Sequence, residues 1–279
     1  MVAWFPSRRL VAFDAASVAG ARLVRGLRGP RLRSLEIVPL PPGALVISAF
    51  TANLARPAEV SAALAHLRGA LGGGRVTLVL PDGLARVLLL EAPKGADPQE
   101  YARFRFGPAL PYPVGEAAID LLPLDGRRLL AAAVRRDVVA GYEAAAATAG
   151  FQTDRVDLAP LAALSGLLRQ PRPARTVEIV LGDAALSLAA FEGGRLSAFR
   201  SRRRDPGPGE AERVYGDAAR TALPGNGDPP FLRVTGVGAR SFRDDLAGAG
   251  QTVELAAVVP GAGSRGEAAE LPWLGAALA

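Results

Sequence analysis

The sequence contains no cysteine, which excludes disulfide bonds, a thiolate nucleophile and a cysteine-ligated zinc site. It has one histidine, His66, and one lysine, Lys94. A transition-metal site would therefore have to be built from carboxylates alone, which such metals disfavour. A Walker P-loop is also excluded, because Lys94 lies in Pro93-Lys94-Gly95 and not in a Gly-Lys-Ser/Thr sequence.

Long apolar runs are missing as well. The longest, such as Leu129 to Val134, are far shorter than the roughly 20 residues that a membrane-spanning helix needs. Arg8, Arg9 and Asp14 are among the residues that interrupt positions 1–20. We therefore expect neither a signal peptide nor a membrane anchor.

Basic residues outnumber acidic ones and give a net charge of +6. Of the 33 basic residues, 33 − 1 = 32 are arginine. Clusters at positions 22–33 and 202–204 could bind phosphates or anionic lipid, but a solvated basic surface is the simpler interpretation. No aromatic residues are interleaved with these arginines to stack on bases, so we expect no nucleic-acid partner.

The order of predicted elements repeats once along the chain. Three short strands and then a helix occur in each half, and periodicity alone leaves two interpretations open: two similar lobes around a cleft, or one α/β domain with coincidental meanders. The predicted elements of the two repeats are strands Leu10–Asp14, Ala21–Arg25 and Ser34–Leu40 with a helix from Pro57, then strands Thr176–Leu181, Leu186–Phe191 and Arg195–Arg200 with a helix near Glu210–Leu223.

In the two-lobe interpretation the first lobe is 1–170 and the second lobe is 171–279, with a hinge at 170–173. Smaller expectations are a further strand at Val46–Phe50, a half-buried structural His66 on the first helix, and a closing helix at Glu267–Leu278 that carries Trp273. Trp4 and Phe5 are expected to pack in the core.

The stretch from Tyr101 to Leu168 resembles the PilM family of type IV pilus assembly proteins. That family is similar to the division protein FtsA and to the cytoplasmic part of the secretion protein GspL. No single phrase is diagnostic, and the order of the phrases carries the likeness. They are Val76–Asp82, Leu110-Pro111-Tyr112-Pro113, Glu116–Asp120, Ala132–Val139, Val156–Leu161 and Val234–Gly238.

The resemblance implies an α/β fold of the actin-like ATPase type. It has duplicated ribonuclease-H-like lobes, an inserted small α/β subdomain in the first lobe, here at about 75–150, and a reduced second lobe. Only about 30 residues separate Arg200 from Phe231, which leaves room for one helix on the adenine side. In PilM-like proteins ATP lies between the lobes, and the protein sits on the cytoplasmic face of the inner membrane. There it holds the cytoplasmic tail of a membrane partner, PilN.

The resemblance also places a vestigial nucleotide cleft on this chain. Its candidate binding residues are Asp14, Ser17, Gly182, Asp183, Thr235, Gly236 and Gly238. Three positions have lost the family's group. Ala16 replaces a glycine of the first phosphate loop, Val180 replaces the aspartate that opens the second, and Ala159 replaces an acid before proline. We expect no catalytic residue, metal or cofactor, since phosphoryl transfer depends on such positioned groups.

The sequence thus predicts a pseudo-ATPase scaffold that is cytoplasmic and peripheral at a bacterial inner membrane. Its partner would be a PilN-like or GspL/GspM-like membrane protein's tail, with oligomerisation possible. One alternative is an active ATPase that binds ATP with Mg²⁺ through Asp14, Asp183 and the loop at Gly236. Another is an unrelated soluble α/β or regulatory protein.

Overall fold

The computed structural model describes residues 8–26, 29–222, 230–256, 258 and 271–277. The first half contains β1 (Arg8–Phe13), β2 (Ser17–Gly26), β3 (Gly29–Pro39), α1 (Pro57–Leu71), β4 (Gly74–Leu80), β5 (Arg86–Glu91), α2 (Pro98–Phe106), a 3₁₀ turn (Val114–Glu116), β6 (Ala117–Pro123), β7 (Arg128–Arg135), α3 (Arg136–Thr148), β8 (Phe151–Leu158) and α4 (Ala159–Leu167). The second half contains β9 (Arg175–Leu181), β10 (Ala185–Glu192), β11 (Arg195–Arg203), α5 (Glu210–Thr221), β12 (Phe231–Gly236), α6 (Ala239–Gly248), β13 (Val253–Leu255) and a 3₁₀ helix (Pro272–Ala277).

Two five-stranded sheets share one topology. Their strand orders are β3-β2-β1-β4-β8 and β11-β10-β9-β12-β13. In each, an antiparallel meander is extended by two strands parallel to the first one. This is the order of a ribonuclease-H-like lobe. The repeated topology confirms the two-lobe prediction and excludes a single domain with coincidental meanders.

The first sheet is covered on both faces, because alternate residues of its central strand point in opposite directions. Val11 and Phe13 of β1 pack with α1 and α3 in one cluster. Leu10 and Ala12 pack on the other face with Ala162 of α4 and with the C-terminal 3₁₀ helix. The last described segment of the chain therefore covers the first lobe.

The second sheet packs helices α5 and α6 against one face. Its other face meets α4 and the third sheet, where Phe191 and Phe199 contact Val87 and Leu130. Helix α4 thus lies between the two lobes and contributes to the packing of both. In the described part of the chain between β11 and β12 there is one helix, α5, as the short spacing predicts.

The third sheet, with order β5-β7-β6, is the inserted subdomain. It spans residues 86–135 and is shorter than the predicted 75–150 at both ends. Strand β4 belongs to the first sheet because it pairs with β1 and β8. Helix α3 also lies outside the insert, since it packs in the core of the first lobe.

Three local expectations are wrong. Residues Val46–Phe50 form a loop, which the Asn53 side chain holds by accepting from the Ser48 N–H and donating to the Ser48 carbonyl, both at 2.8 Å. His66 is exposed, with Nε2 3.2 Å from a Glu36 carboxylate oxygen. The closing element is the short 3₁₀ helix at Pro272–Ala277, not an α-helix.

Other expectations fall on residues that the structure does not describe. These are Trp4, Phe5 and positions 267–270 of the predicted closing helix. No helix among the described residues is both long enough and apolar enough to cross a membrane.

The linker between the lobes is anchored at several points. Arg172 donates to the Leu168 carbonyl at 2.7 Å and stacks 4.4 Å from the centre of the Phe191 ring. Arg233 donates to Gln170 Oε1 at 2.7 Å and to the Pro171 carbonyl at 3.1 Å. These contacts restrain the segment that the sequence predicts to be a hinge.

Candidate functional site

The central strands of both sheets end at a shared cavity of about 220 Å³. Parallel strands β1, β4 and β8 of one lobe and β9 and β12 of the other direct their carboxyl ends toward it, where α/β sheets bind ligands. We call it the carboxyl cavity. It is lined by Ala12, Phe13, Asp14, Ser17, Ala19, Ile37, Ile47, Val79, Pro81, Asp82, Ala159, Gly182, Asp183, Ala184, Val237, Leu271, Pro272 and Trp273.

The first turn of the cavity joins β1 to β2. The Asp14 N–H donates to the Ser17 carbonyl at 2.9 Å, and Asp14 Oδ1 accepts from the Ala15 N–H at 2.7 Å. Asp14 and Ser17 both line the cavity, but Ala16 is exposed outside the lining. The Ala16 carbonyl accepts from the Leu40 N–H at 2.8 Å, which ties this turn to the end of the meander.

The second turn joins β9 to β10 and has the same hydrogen bond, from the Gly182 N–H to the Ala185 carbonyl at 2.9 Å. Gly182 therefore occupies the position that Asp14 holds in the first turn. The assignment of Val180 to the loop is wrong. Val180 lies within β9, where it pairs with Ser187 and is buried against α4 in an apolar cluster. The missing acid of this loop is replaced by glycine, and Asp183 follows it.

Asp14 and Asp183 meet across the cleft. Burial, together with the hydrogen bond to Asp183 and the charge of Asp183, raises the pKa of Asp14 to about 8. Two carboxyl groups can hydrogen-bond to each other only when a proton lies between them. The pair therefore joins the two lobes while it retains one proton.

Asp82 is a third carboxyl group in the cavity, and the sequence-based analysis missed it. It follows β4 in the turn Pro81-Asp82-Gly83, and only 6% of its surface is exposed. Burial raises its pKa to about 8. A Cβ on Gly182 would lie 2.7 Å from Asp82 Oδ2, so the glycine leaves the space that this carboxyl group occupies.

The predicted adenosine-side residues lie behind the cavity. Thr235 is fully buried within β12. Gly236 is required for strand packing, because a Cβ there would lie 2.0 Å from the Leu181 carbonyl oxygen. Gly238, at φ 73°, is the N-cap of α6. Of this loop, Val237 reaches the cavity lining. From the other side Ala159, the first residue of α4, adds a methyl group.

Arg204 ties two loops of the second lobe together. Its Nη1 donates to the carbonyls of Gly182 and Val237, both at 2.8 Å. Its guanidinium also forms an ion pair with Glu210, with Nε 2.7 Å from Oε1 and Nη2 3.1 Å from Oε2. Arg204 is nearly buried and belongs to the run of three arginines that we expected to be solvated.

The charged side chains that line the carboxyl cavity are all acidic among the described residues. Three carboxyl groups face it, and no arginine, lysine or histidine of the described residues lines it. The nearby Arg204 directs its donors to carbonyl oxygens and to Glu210. Phosphate sites rely on basic side chains, metal ions or converging N–H groups, and of these the carboxyl groups could supply only ligands to a metal ion.

Comparisons with known proteins identify the fold. No protein-family model matches the chain, and no curated protein matches it in sequence. Among solved structures it is similar to a "PilM-PilN type IV pilus biogenesis complex", with a TM-score of 0.74, 20% identity and 97% of each chain covered. It is also similar to the cytoplasmic domain of EpsL, an inner membrane component of the type II secretion system of Vibrio cholerae.

The EpsL comparison has a TM-score of 0.56, 12% identity and 82% coverage of each chain. A Bacteroides thetaiotaomicron protein with an actin-like ATPase fold and unknown function gives a TM-score of 0.55 at 10% identity, covering 89% of this chain and 90% of that one. The chain therefore has the actin-like ATPase fold, as the resemblance predicts.

Proposed function

We propose that this chain is a scaffold of a type IV pilus or type II secretion-like platform at the inner membrane. It binds the cytoplasmic tail of a membrane partner and does not hydrolyse ATP. The observation that carries the proposal is the carboxyl cavity, whose lining among the described residues contains three aspartates and no basic side chain that could hold a triphosphate. The likeness to the PilM–PilN complex and to the EpsL cytoplasmic domain supports the assignment to such a platform.

The loss of ATP chemistry follows from electrostatics. Phosphoryl transfer depends on positive groups that stabilise the charge on the transferred phosphate. The lining of the carboxyl cavity offers Asp14, Asp82 and Asp183 but no basic side chain of the described residues, and the start of α4 offers only the methyl group of Ala159. Asp14 and Ser17 are the residues of the first phosphate loop that remain, and they favour the alternative of weak nucleotide binding.

A groove on the opposite side of α4 has the properties of a peptide site. It has a volume of about 560 Å³ between the third sheet, α4 and the β10–β11 hairpin. We call it the leucine groove. Its apolar lining consists of Leu122, Leu124, Leu130, Leu161, Leu164, Leu168, Phe191 and Leu196. Leu122 and Leu168 of this lining are 51% and 43% exposed, and grouped apolar side chains that remain exposed are typical of a protein-binding groove.

The mode of binding follows from the edge strand β6, which borders the groove. Its main-chain groups are partly occupied already. Arg136 donates to the Ala117 carbonyl at 2.9 Å, Gln99 donates to the Ile119 carbonyl at 3.3 Å, and the Leu121 N–H donates to Asp120 at 2.9 Å. Continuous strand addition is therefore blocked, so apolar side chains of the tail would be the main anchors.

The experiment that tests this uses a peptide of the cytoplasmic tail of a PilN-like membrane protein from the same organism, measured by isothermal titration calorimetry. Leu122→Asp and Leu168→Asp should each weaken binding by about tenfold or more, since an apolar anchor is replaced by a charge. Phe104→Asp is the matched control, because Phe104 is 75% exposed on α2 and is not part of the groove lining. Equal affinities for all variants would refute the groove as the site.

ATP binding is tested separately with a fluorescent ATP analogue and Mg²⁺. We expect no saturable binding below about 1 mM, because no basic side chain of the described residues lines the cavity. Micromolar affinity would favour the nucleotide-binding alternative, and turnover that Asp14→Asn abolishes would establish an ATPase.

A further inference from the structure

The carboxyl cavity has the composition of a site for a cation. Asp14 and Asp82 belong to the first lobe and Asp183 to the second, and all three face one enclosed space. The described lining has no basic side chain that could neutralise them. The negative charge therefore has to be balanced by protons or by a positively charged ligand.

Asp82 is the observation that points to a ligand. It is more than nine-tenths buried, and neither of its carboxylate oxygens has a hydrogen-bond partner among the described residues. Burying a polar group without a partner costs free energy, and more for a charged group. Asp14 differs, since it is bonded to Ala15 and to Asp183. A donor placed in the cavity would complete the hydrogen bonding of Asp82.

The size and the walls of the cavity decide which cation fits. About 220 Å³ is several times the roughly 30 Å³ share of one water molecule, and no three acidic residues in the described chain are arranged to coordinate a metal ion. Apolar groups form much of the remaining wall, including Phe13, Ile37 and Trp273. Aromatic and apolar walls with carboxylates at one end suit an organic cation.

We propose that the carboxyl cavity binds an organic cation, in which a guanidinium or primary ammonium group meets Asp82 and the Asp14–Asp183 pair and an alkyl chain lies along the wall that includes Trp273. The cation would come either from a small free amine or from a basic side chain of another polypeptide. The site lies on the other side of α4 from the leucine groove and does not depend on it. Binding would join the two lobes by replacing the shared proton with a fixed positive charge.

The test uses Trp273 as a reporter. The chain has two tryptophans, so Trp4→Phe leaves Trp273 as the only one. We would titrate this variant with agmatine, which carries both a guanidinium and an ammonium group, and follow fluorescence and heat at about pH 8.5, which is above the pKa of about 8 of Asp14 and of Asp82. Saturable binding at submillimolar agmatine is expected. Butylurea, which has a neutral planar head, should not bind.

Asp82→Asn should weaken agmatine binding by about tenfold or more, because it removes a charged acceptor. The matched control is Asp205→Asn, which removes a negative charge from an exposed residue of the same lobe as Asp183. Asp14→Asn provides a second cavity variant if Asp82→Asn does not fold. The proposal is overturned if agmatine gives no response up to about 10 mM, or if the cavity variants bind it as well as the control does.

A short peptide with one internal arginine distinguishes the two sources of the cation. Binding of both agmatine and the peptide supports a side chain of another polypeptide. Binding of agmatine alone supports a small free amine. Failure of the leucine-groove variants to affect tail binding leaves this test unchanged, since its readout is the response of Trp273.

Discussion

The two five-stranded sheets repeat one strand order but bury different chemistry at their centres. The middle of the first sheet is apolar, with Leu10 to Ala12 beside Leu78 and Val79. The middle of the second contains Glu178 on β9 and Arg233 on β12, with Arg233 Nε 3.3 Å from Glu178 Oε2. Strand order follows from pairing and from the alternation of inward residues, so it tolerates this difference.

The buried pair of the second sheet also has a task that the first sheet lacks. Arg233 extends from the sheet to the linker, where it bonds to Gln170 and to the Pro171 carbonyl. Burial raises the pKa of Glu178 to about 7, while Arg233 opposes that rise. The comparison teaches that duplicated lobes diverge where one of them must hold the connection between the two.

The largest effect is expected from replacing Arg233, the cation of the buried Glu178–Arg233 pair. Arg233→Met leaves Glu178 buried without a partner and releases the linker, so it should cost about 3–5 kcal/mol of unfolding free energy in urea titrations. Adding Glu178→Leu should recover most of the loss, since no buried charge remains. A single-variant loss below about 1 kcal/mol would show that the two sheets are alike in this respect.

The next prediction compares Asp82 of the first lobe with Glu178 of the second by the pH dependence of the unfolding free energy. Asp82 keeps its proton up to about pH 8 in the folded chain but loses it near pH 4 when unfolded. The folded state therefore binds more protons between these values, and stability falls as pH rises through that window.

Asp82→Asn removes this contribution. Its stability relative to the parent should increase by about 2 kcal/mol from pH 5 to pH 7, measured by urea unfolding at each pH. The same comparison with Glu178→Gln should level off near pH 7, because the pKa of Glu178 is about 7. A difference between Asp82→Asn and the parent that does not change with pH would contradict the raised pKa of Asp82.

A smaller effect tests how the first lobe is covered. A Cβ on Gly275 would lie 1.9 Å from the Ala162 carbonyl oxygen, where the C-terminal 3₁₀ helix crosses α4. Gly275→Ala should therefore lower stability by about 1–3 kcal/mol. Gly248→Ala is the control, since nothing lies within 4 Å of a Cβ in that helix of the second lobe, and it should be neutral or slightly stabilising.

The smallest expected effect concerns the two equivalent turns. Gly182→Ala would bring a methyl group 2.7 Å from Asp82 Oδ2 and 2.9 Å from the Ala185 carbonyl oxygen, and should cost about 1–2 kcal/mol. Asp82→Ala in the same chain should relieve part of that cost, which thermal unfolding of the four members of the cycle measures. If the stability changes of the two single variants add up to that of the double variant, Asp82 does not occupy the space that the glycine leaves.

Much of the fold was predictable, because both meanders have alternating or continuous apolar strands separated by glycine and proline. The residue that corresponds to Asp14 in the second turn was not. A slip of two residues keeps every side chain on its own face, so the alternation pattern could not show that this residue is Gly182 and not Val180. His66 lies beside the apolar stripe of Val60, Leu64 and Leu67, so its exposure was predictable from helical spacing.

The candidate site was only partly predictable. Asp14, Ser17, Gly182 and Asp183 do meet at the cavity, since each follows a strand whose carboxyl end faces it. Asp82 has the same placement after β4, and that rule could have found it. Arg204 and Trp273 had no comparable signal. One belonged to an arginine run typical of a solvated surface, and the other to a segment predicted as a regular helix.

By itself the sequence determined the succession of strands and helices and the repeat of the meander. With no cysteine, one lysine and one histidine, it also excluded disulfide bonds, a thiolate nucleophile and a Walker P-loop. These depend on local periodicity and composition. The tertiary structure alone decided that three aspartates from distant positions share one cavity. It also decided that Arg204 forms hydrogen bonds that hold two loops together. These contacts depend on how the two sheets pack against α4. The free energy of burying or pairing a charge depends on neighbours that are remote in the chain.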